Sequence, residues 1–556
     1  MNIALWIARL RGWFAGLSFE RAARHPQKAQ SRLLGEIIRE NQSTAFGRDH
    51  DFESIETYDD YAAKVSIQDY EGHRPYVDRI AAGELNALTQ EKPFMLGSTS
   101  GTTNQAKWIP ITKTWQEKMA SLLRLWIART SWSHPRMFSH QILTITSPAV
   151  EELTQTGMPV GSISGVTKRR APWVVRKIYA VPYEVAAIAS YELRYYMIIR
   201  FALQGKLSSV YTPNPSTLIQ LAQVLRQRAS ELIEGIAGGT LGVNPKDYSG
   251  NDRQVLSELS LRLKPLPKRA RWLQDRLEKH GALIPKICWP NLSLIGCWLG
   301  GSAGVHAQQL AALYGETGLR DLGFRATEGT FTVPLEDDDA SGVLALDSHF
   351  YEFIRVEDIE HPQATVLRAH ELDVGCEYYL FITTQAGLYR YDINDVIQVT
   401  GVYRRAPVIR FLRKGRDMVS IVGEKLHVNQ LLVAAKRAEA EAGLIWHQFQ
   451  VLPDSELSCY HLLVEPTDEQ VSVGDLNRFA EAFDKALMDE NPEYPTKRRS
   501  NRLGAPRVVQ MKAGWADRLR RKAVAAGKRD IQFKWPYIAI HPLDETDDEI
   551  LRRSAP

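Results

Sequence analysis

A short apolar run, Phe94-Met95-Leu96, leads into Ser98-Thr99-Ser100-Gly101-Thr102-Thr103-Asn104-Gln105-Ala106-Lys107, and a helical apolar pattern begins soon after at Thr112. This order of strand, loop and helix points to an α/β fold. The loop gathers five hydroxyls around one glycine. Small side chains let backbone N–H groups approach phosphate oxygens, the hydroxyls add donors, and Lys107 adds positive charge. The Walker spacing G-x-x-x-x-G-K-[ST] is absent, as is G-x-G-x-x-G. On these residues alone two readings stand side by side: a polyphosphate cradle and an ordinary Ser/Gly surface turn.

The remaining sequence narrows the class. A chain of 556 residues exceeds one typical domain. No stretch approaches the ~20 apolar residues of a membrane span. Ile3-Ala4-Leu5-Trp6-Ile7-Ala8 is interrupted by Arg9 and Arg11, so it reads as an amphipathic first helix and not as a secretory segment. Cys288, Cys297, Cys376 and Cys459 lie on or beside apolar runs without C-x-x-C spacing, which predicts reduced, buried thiols in a cytoplasmic protein and no zinc site. The net charge of +4 does not suggest nucleic-acid binding. Neither a nucleic-acid nor a membrane partner is expected. Basic residues crowd the last sixty positions, from Lys497 to Lys534, as either a solvated face or a surface that closes over an anion. The run Glu336-Asp337-Asp338-Asp339 reads as a solvated turn.

Along the chain, Thr112 is a candidate cap for a helix in which Trp115, Met119, Leu122, Leu123, Trp126 and Ile127 recur at helical spacing. Tyr195 to Leu203 and Leu218 to Ile233 also read as helices. Leu294 to Leu299 reads as a buried strand, and Gly300 to Gly304 either as a tight turn or as a close approach to a ligand. Helix resumes from His306 to Tyr314. Residues 343–412 turn to short strands, an antiparallel meander at the domain's edge. Arg413-Lys414-Gly415-Arg416-Asp417 then breaks the apolar pattern as a linker would. Helix from Asn429 to Ala442, strands at His447–Leu452 and Tyr460–Val464, and helix from Asp475 to Met488 describe a small α+β domain. The expected domains are 1–412 and 413–556.

Three later segments add to the loop: Phe324-Arg325-Ala326-Thr327-Glu328-Gly329-Thr330, Gly387-Leu388-Tyr389-Arg390-Tyr391-Asp392-Ile393-Asn394-Asp395-Val396, and Asp530-Ile531-Gln532-Phe533-Lys534-Trp535-Pro536. In this order and at these separations they resemble the auxin-responsive Gretchen Hagen family of acyl acid amido synthetases, a branch of the adenylate-forming superfamily. The resemblance extends to Trp289-Pro290-Asn291, His349-Phe350-Tyr351-Glu352-Phe353 and Thr400 to Pro407, and so covers most of the chain. Ala326-Thr327 stands where serines are usual and Phe533 where tyrosine is. Asn104 and Ala106 replace the second glycine and the proline of the acyl-CoA ligase loop, which favours the amido-synthetase branch.

The resemblance implies a large N-terminal adenylate-forming domain, with sheets and helices, and a small mobile C-terminal α+β cap. It implies an ATP- and Mg²⁺-dependent ligase that joins a carboxylic acid to an amine, an amino acid being expected. Ser98, Thr99, Ser100, Gly101, Thr102 and Thr103 would cradle the β,γ-phosphates. Glu328 would hold Mg²⁺, which favours one or two carboxylates plus phosphate oxygens. Asp395 would accept both ribose hydroxyls. Lys425 and Arg416 would contact the nucleotide, and Lys534 would steady the α-phosphate during adenylation. An apolar acyl pocket would use Leu123, Trp126 and Tyr351, with Val150 to Gly165 bordering the acid. Tyr389 and Tyr391, alternating along one strand, would share a face, either lining a pocket or packing in the core. An acyl-CoA ligase and a non-catalytic relative remain as alternatives.

Overall fold

The computed structural model describes residues 3–99, 107–301, 304, 307–359, 361, 363–415, 418–419, 421, 424, 426–454, 456–467, 471–491, 494–499, 503–525, 535–539 and 549–554. Contacts divide the chain into two units, Met1–Phe411 and Leu412–Pro556.

Among the described residues the first unit contains three sheets. Strands Gln141–Thr144, Leu207–Tyr211, Leu294–Cys297 and Gly318–Asp321 lie side by side and parallel. Buried residues occupy every position of Leu294–Cys297, as a strand covered on both faces requires. A seven-stranded sheet places Glu377–Thr383, Tyr391–Tyr403 and Ala406–Lys414 next to one another. Phe350–Arg355 flanks these three on one side and Gly342–Leu344 on the other, so the short strands expected over 343–412 belong to one sheet. Its last strand runs through Arg413 and Lys414, so these two continue a strand where a linker was expected.

The third sheet corrects the strand, loop and helix order. Met95–Thr99 pairs antiparallel with Lys107–Ile111, Thr99 opposite Lys107, so the hydroxyl-rich loop joins two arms of a hairpin. Pro110 hides this second arm from pattern reading, because proline interrupts a ladder. It is tolerated here because Lys107–Ile111 is an edge strand. Helix Lys113–Ser133 follows, capped as expected by the Thr112 hydroxyl, which accepts from Trp115 N at 3.2 Å.

Smaller departures have local causes. The pattern from Leu218 to Ile233 forms two helices, Ser216–Gln227 and Ala229–Gly238, meeting at Arg228, whose carbonyl starts the second by accepting from Leu232 N. Helix before Tyr314 is described over Leu310–Tyr314. Asp337 does more than face solvent, since it accepts from buried Arg320 Nε at 2.6 Å and pairs with His134 Nε2 at 2.8 Å. Tyr389 and Tyr391 part company. Arg390 between them has a positive φ of 45°, and the strand starts only at Tyr391. Tyr389 packs with Phe46 and Phe52, whereas Tyr391 joins Met95, Ile109 and Trp115 in a separate core.

That turn is held by a buried ion pair. Arg390 meets Glu352 at 2.8 Å, donates to the carbonyls of Ala62 and Val65, and shares Glu352 with the Tyr58 hydroxyl. The four cysteines are free thiols, three buried and Cys376 partly so. In the second unit, helices Val428–Ala442 and Val473–Glu490 pack together, and strands Trp446–Asp454, Cys459–Pro466, Arg507–Met511 and Ile550–Arg553 form one sheet. Of its basic residues, Arg498 pairs with Asp484 and Arg518 with Glu549.

Removing one partner of a buried pair strands the other charge. Glu352→Gln and Arg390→Met are each expected to lower unfolding free energy by about 3–5 kcal/mol, measured by urea denaturation of the soluble variants.

Candidate active site

The hairpin, the Phe324–Thr330 segment and the start of strand Tyr391–Tyr403 meet in one place. At Gly97 the hairpin runs so close to Thr327 that an added Cβ would lie 2.7 Å from the threonine methyl. Phe324–Thr330 folds back tightly: Ala326 N donates to Gly329 O at 2.9 Å, and Phe331 N to Phe324 O at 2.9 Å. Gly329 is required by its neighbour, because a Cβ there would meet His349 Nε2 at 2.3 Å. Burial holds the His349 ring neutral, its pKa lowered to about 3.

Glu328 is buried at the turn. Its carbonyl accepts the Trp115 indole N–H at 2.9 Å and its Oε1 accepts the Tyr391 hydroxyl at 3.4 Å. Burial, reinforced by the Glu328 charge, raises the Tyr391 pKa well above its ordinary value, so the phenol stays a donor. Asp395, also buried, contributes to the same field on Tyr391, and so does Tyr70. The Tyr70 hydroxyl accepts from Trp108 N at 2.8 Å and donates to Trp108 O at 3.1 Å, fixing the second hairpin arm. Lys107 Nζ lies 5.6 Å from the Tyr70 ring centroid. Glu328 and Asp395 thus both act on Tyr391, and the Glu328 segment meets the hairpin at Gly97, next to Ser98.

A second locus lies at the ends of the parallel strands. Trp126 donates its indole N–H to Asp321 O at 2.7 Å and packs with Met137, Leu294 and Leu322, against which Leu123, Tyr211 and Trp298 are partly buried. Leu123 and Trp126 therefore share one apolar patch. Tyr351 does not join it. It is fully buried beside Phe331, its hydroxyl held by Ala345 O and Ser348 Oγ at 3.2 Å. The Asp321 carboxylate accepts Leu299 N at 2.7 Å and Gly323 N at 2.6 Å, tying the approach to Gly300 to the Glu328 segment. Burial nevertheless pushes its pKa up to about 7. Arg325 sits within the influence of Asp321, and its buried Nε has no hydrogen-bond partner among the described residues.

Ser100, Gly101, Thr102, Thr103, Arg416, Lys425 and Lys534 lie outside the described residues. Tyr70 and Asp321 escaped the sequence reading, and Arg325 entered it only as part of its segment. Tyr70 reaches Trp108 across 38 positions, and no local periodicity encodes such a contact. Among the described residues no group of three or more His, Cys, Asp or Glu side chains could hold a metal. One buried carboxylate, Glu328, suits Mg²⁺, whose other ligands would be phosphate oxygens and water.

The GH3 family N-terminal domain matches residues 17–319, its central domain 342–414 and its C-terminal domain 429–542. The chain belongs to the GH3 family. It is similar to the Arabidopsis thaliana indole-3-acetic acid-amido synthetase GH3.3, with 22% identity over 93% of this chain and 90% of that protein. It is likewise similar to the A. thaliana 4-substituted benzoates-glutamate ligase GH3.12, at 23% over 91% and 92%. Its fold matches the AtGH3.15 acyl acid amido synthetase in complex with 2,4-DB, with TM-score 0.84, 20% identity and 96% of each chain covered. A 2-hydroxyisobutyryl-CoA ligase in complex with 2-HIB-AMP is more distant, at TM-score 0.54 and 12% identity over 94% and 92%. As a GH3 protein this chain is an amide-forming ligase with the α/β adenylate-forming fold. No helix among the described residues is long and apolar enough to cross a membrane.

A carboxyl whose pKa is raised in the folded state holds a proton that the unfolded chain has released, so the stability it provides is complete below the unfolded value and is lost as pH rises through the folded one. From pH about 4 to about 7, Asp321 should therefore make unfolding easier with rising pH. Melting curves across that range are expected to show a downward slope that Asp321→Asn flattens.

Proposed function

We propose that the enzyme converts a carboxylic acid into an acyl-adenylate with ATP and Mg²⁺ and passes the acyl group to the amine of an amino acid. The observation that carries this reading is the meeting of the hairpin base with Glu328 and Asp395 around Tyr391. In the first half-reaction a carboxylate oxygen attacks the α-phosphorus and pyrophosphate leaves. In the second the amine nitrogen attacks the acyl carbon, the C–O bond to AMP breaks, and the amine gives up a proton.

Two anions must be brought together in the first step, so positive charge and directed N–H groups dominate the catalysis. The loop Ser98–Thr103 holds the β,γ-phosphates. Glu328 would hold Mg²⁺, which would supply charge to offset the phosphates, and the Tyr391 hydroxyl orients that carboxylate. Asp395 accepts the ribose hydroxyls. Residues 1–412 carry the acid and nucleotide sites. Residues 413–556 form a cap that supplies Lys534 to the α-phosphate and, with Lys425 and Arg416, further nucleotide contacts. Leu123 and Trp126 border the acid, and the Arg325 Nε, without a hydrogen-bond partner among the described residues, supports an anionic ligand beside them.

The decisive assay is pyrophosphate and AMP release with ATP, Mg²⁺ and a panel of aromatic and aliphatic acids, with pooled amino acids or coenzyme A. Acid-dependent pyrophosphate release, with AMP and an amide only when amino acids are added, is expected. Stimulation by coenzyme A alone would reassign the acceptor. Lys534→Ala should cripple pyrophosphate formation while ATP still binds, and unchanged formation removes Lys534 from the mechanism. Glu328→Ala should lose Mg²⁺-dependent turnover, and an unaltered metal titration would end its role as ligand.

A further inference from the structure

Helix Ile3–Arg24 is apolar on two sides, which in a folded protein means two partners. One partner is within the chain. Gly12 and Gly16 bring the helix against Lys113–Ser133 so closely that a Cβ on Gly12 would stand 2.1 Å from Ala128 Cβ, and Phe19, Ala22 and Ala23 extend the buried row. Arg9 secures the contact by donating to Ser131 O at 2.7 Å. The opposite side presents Trp6, Ile7, Leu10, Trp13, Phe14 and Leu17, each 45% to 60% exposed. Their spacing of three and four residues makes one strip along a helix roughly 33 Å long. A contiguous strip of large apolar side chains marks an interaction surface.

The charge around the strip selects its partner. Arg11, Arg21 and Arg24 are exposed on the same helix. Exposed Arg404 and Arg405 lie beside its end, where Arg405 N donates to Ala23 O at 2.9 Å. The acids nearby are engaged: Glu20 pairs with Arg129 at 2.6 Å and Arg404 at 3.7 Å, and partly buried Asp347 accepts the Ser18 hydroxyl. Trp132, 69% exposed, stacks under Arg9 at 3.8 Å and adds a further indole. A second copy laid face to face would bring arginines against arginines, which opposes association. Tryptophan, phenylalanine and leucine with an arginine border suit the boundary between anionic headgroups and acyl chains.

We propose that helix Ile3–Arg24 seats this enzyme on an anionic lipid surface, its axis in the membrane plane, with the apolar strip in the headgroup boundary and the arginines on lipid phosphates. The expectation of no membrane partner rested on the lack of a spanning segment; this contact is with the surface and needs none. It stands independently of the proposed reaction.

Flotation of the full-length protein with vesicles tests it. Binding is expected to vesicles of phosphatidylcholine with phosphatidylglycerol, to weaken at raised salt, and to be slight with phosphatidylcholine alone. The triple variants Trp6→Ser/Trp13→Ser/Phe14→Ser and Arg11→Gln/Arg21→Gln/Arg24→Gln alter only exposed side chains. Each should bind at least about tenfold more weakly, with circular dichroism and melting temperature retained. No flotation of the parent protein with anionic vesicles overturns the proposal, and so does flotation that both variants keep. Lipid-free sedimentation revealing a dimer that the aromatic variant abolishes would assign the strip to a second copy instead.

Discussion

The pairing of Arg390 with Glu352 is the constraint on which the first unit depends. One guanidinium, held in a left-handed backbone turn, binds the carboxylate of strand Phe350–Arg355 and the carbonyls of Ala62 and Val65. Because its charge is buried, it stays there only while all those acceptors stay in place. Three regions distant in sequence are thereby locked together. The consequence for chemistry lies one residue on, since the turn that suits Arg390 delivers Tyr391 to Glu328 and sends Tyr389 to the opposite core.

From that turn the site follows by packing. Tyr391 donates to Glu328 and feels the charge of Asp395 on its own strand, and Tyr70 binds the hairpin arm through both polar groups of the Trp108 backbone. The glycines at 97 and 329 are chosen by proximity, with Thr327 and His349 occupying the space a side chain would need. Protonated phenol, neutral imidazole and buried carboxylate all reflect the same dry setting, in which a charge-bearing ligand interacts more strongly than it would in water.

Much of this was legible in the sequence, for identifiable reasons. The Thr112 cap and the apolar repeat after it are local signals, and the helix begins where they indicate. The family segments named Glu328 and Asp395, and these do come together. The strand Lys107–Ile111 was hidden by Pro110, whose place at a sheet edge depends on neighbours far along the chain. The parting of Tyr389 from Tyr391 was equally hidden, because no glycine announces the positive φ at Arg390. Tyr351 looked like a pocket residue through its segment, yet its hydroxyl is consumed by Ala345 and Ser348.

Two indoles on one helix set the spacing of the two loci. Trp115 holds the carbonyl of Glu328 and Trp126 that of Asp321, from positions eleven residues apart on Lys113–Ser133. At ~1.5 Å per residue their backbone origins are separated by roughly 16 Å. The helix thus acts as a gauge bar that fixes the separation of the Glu328 turn and the apolar patch around Trp126. Inserting one residue between the tryptophans would turn one indole by about 100° relative to the other, and only one of the two moorings could then hold.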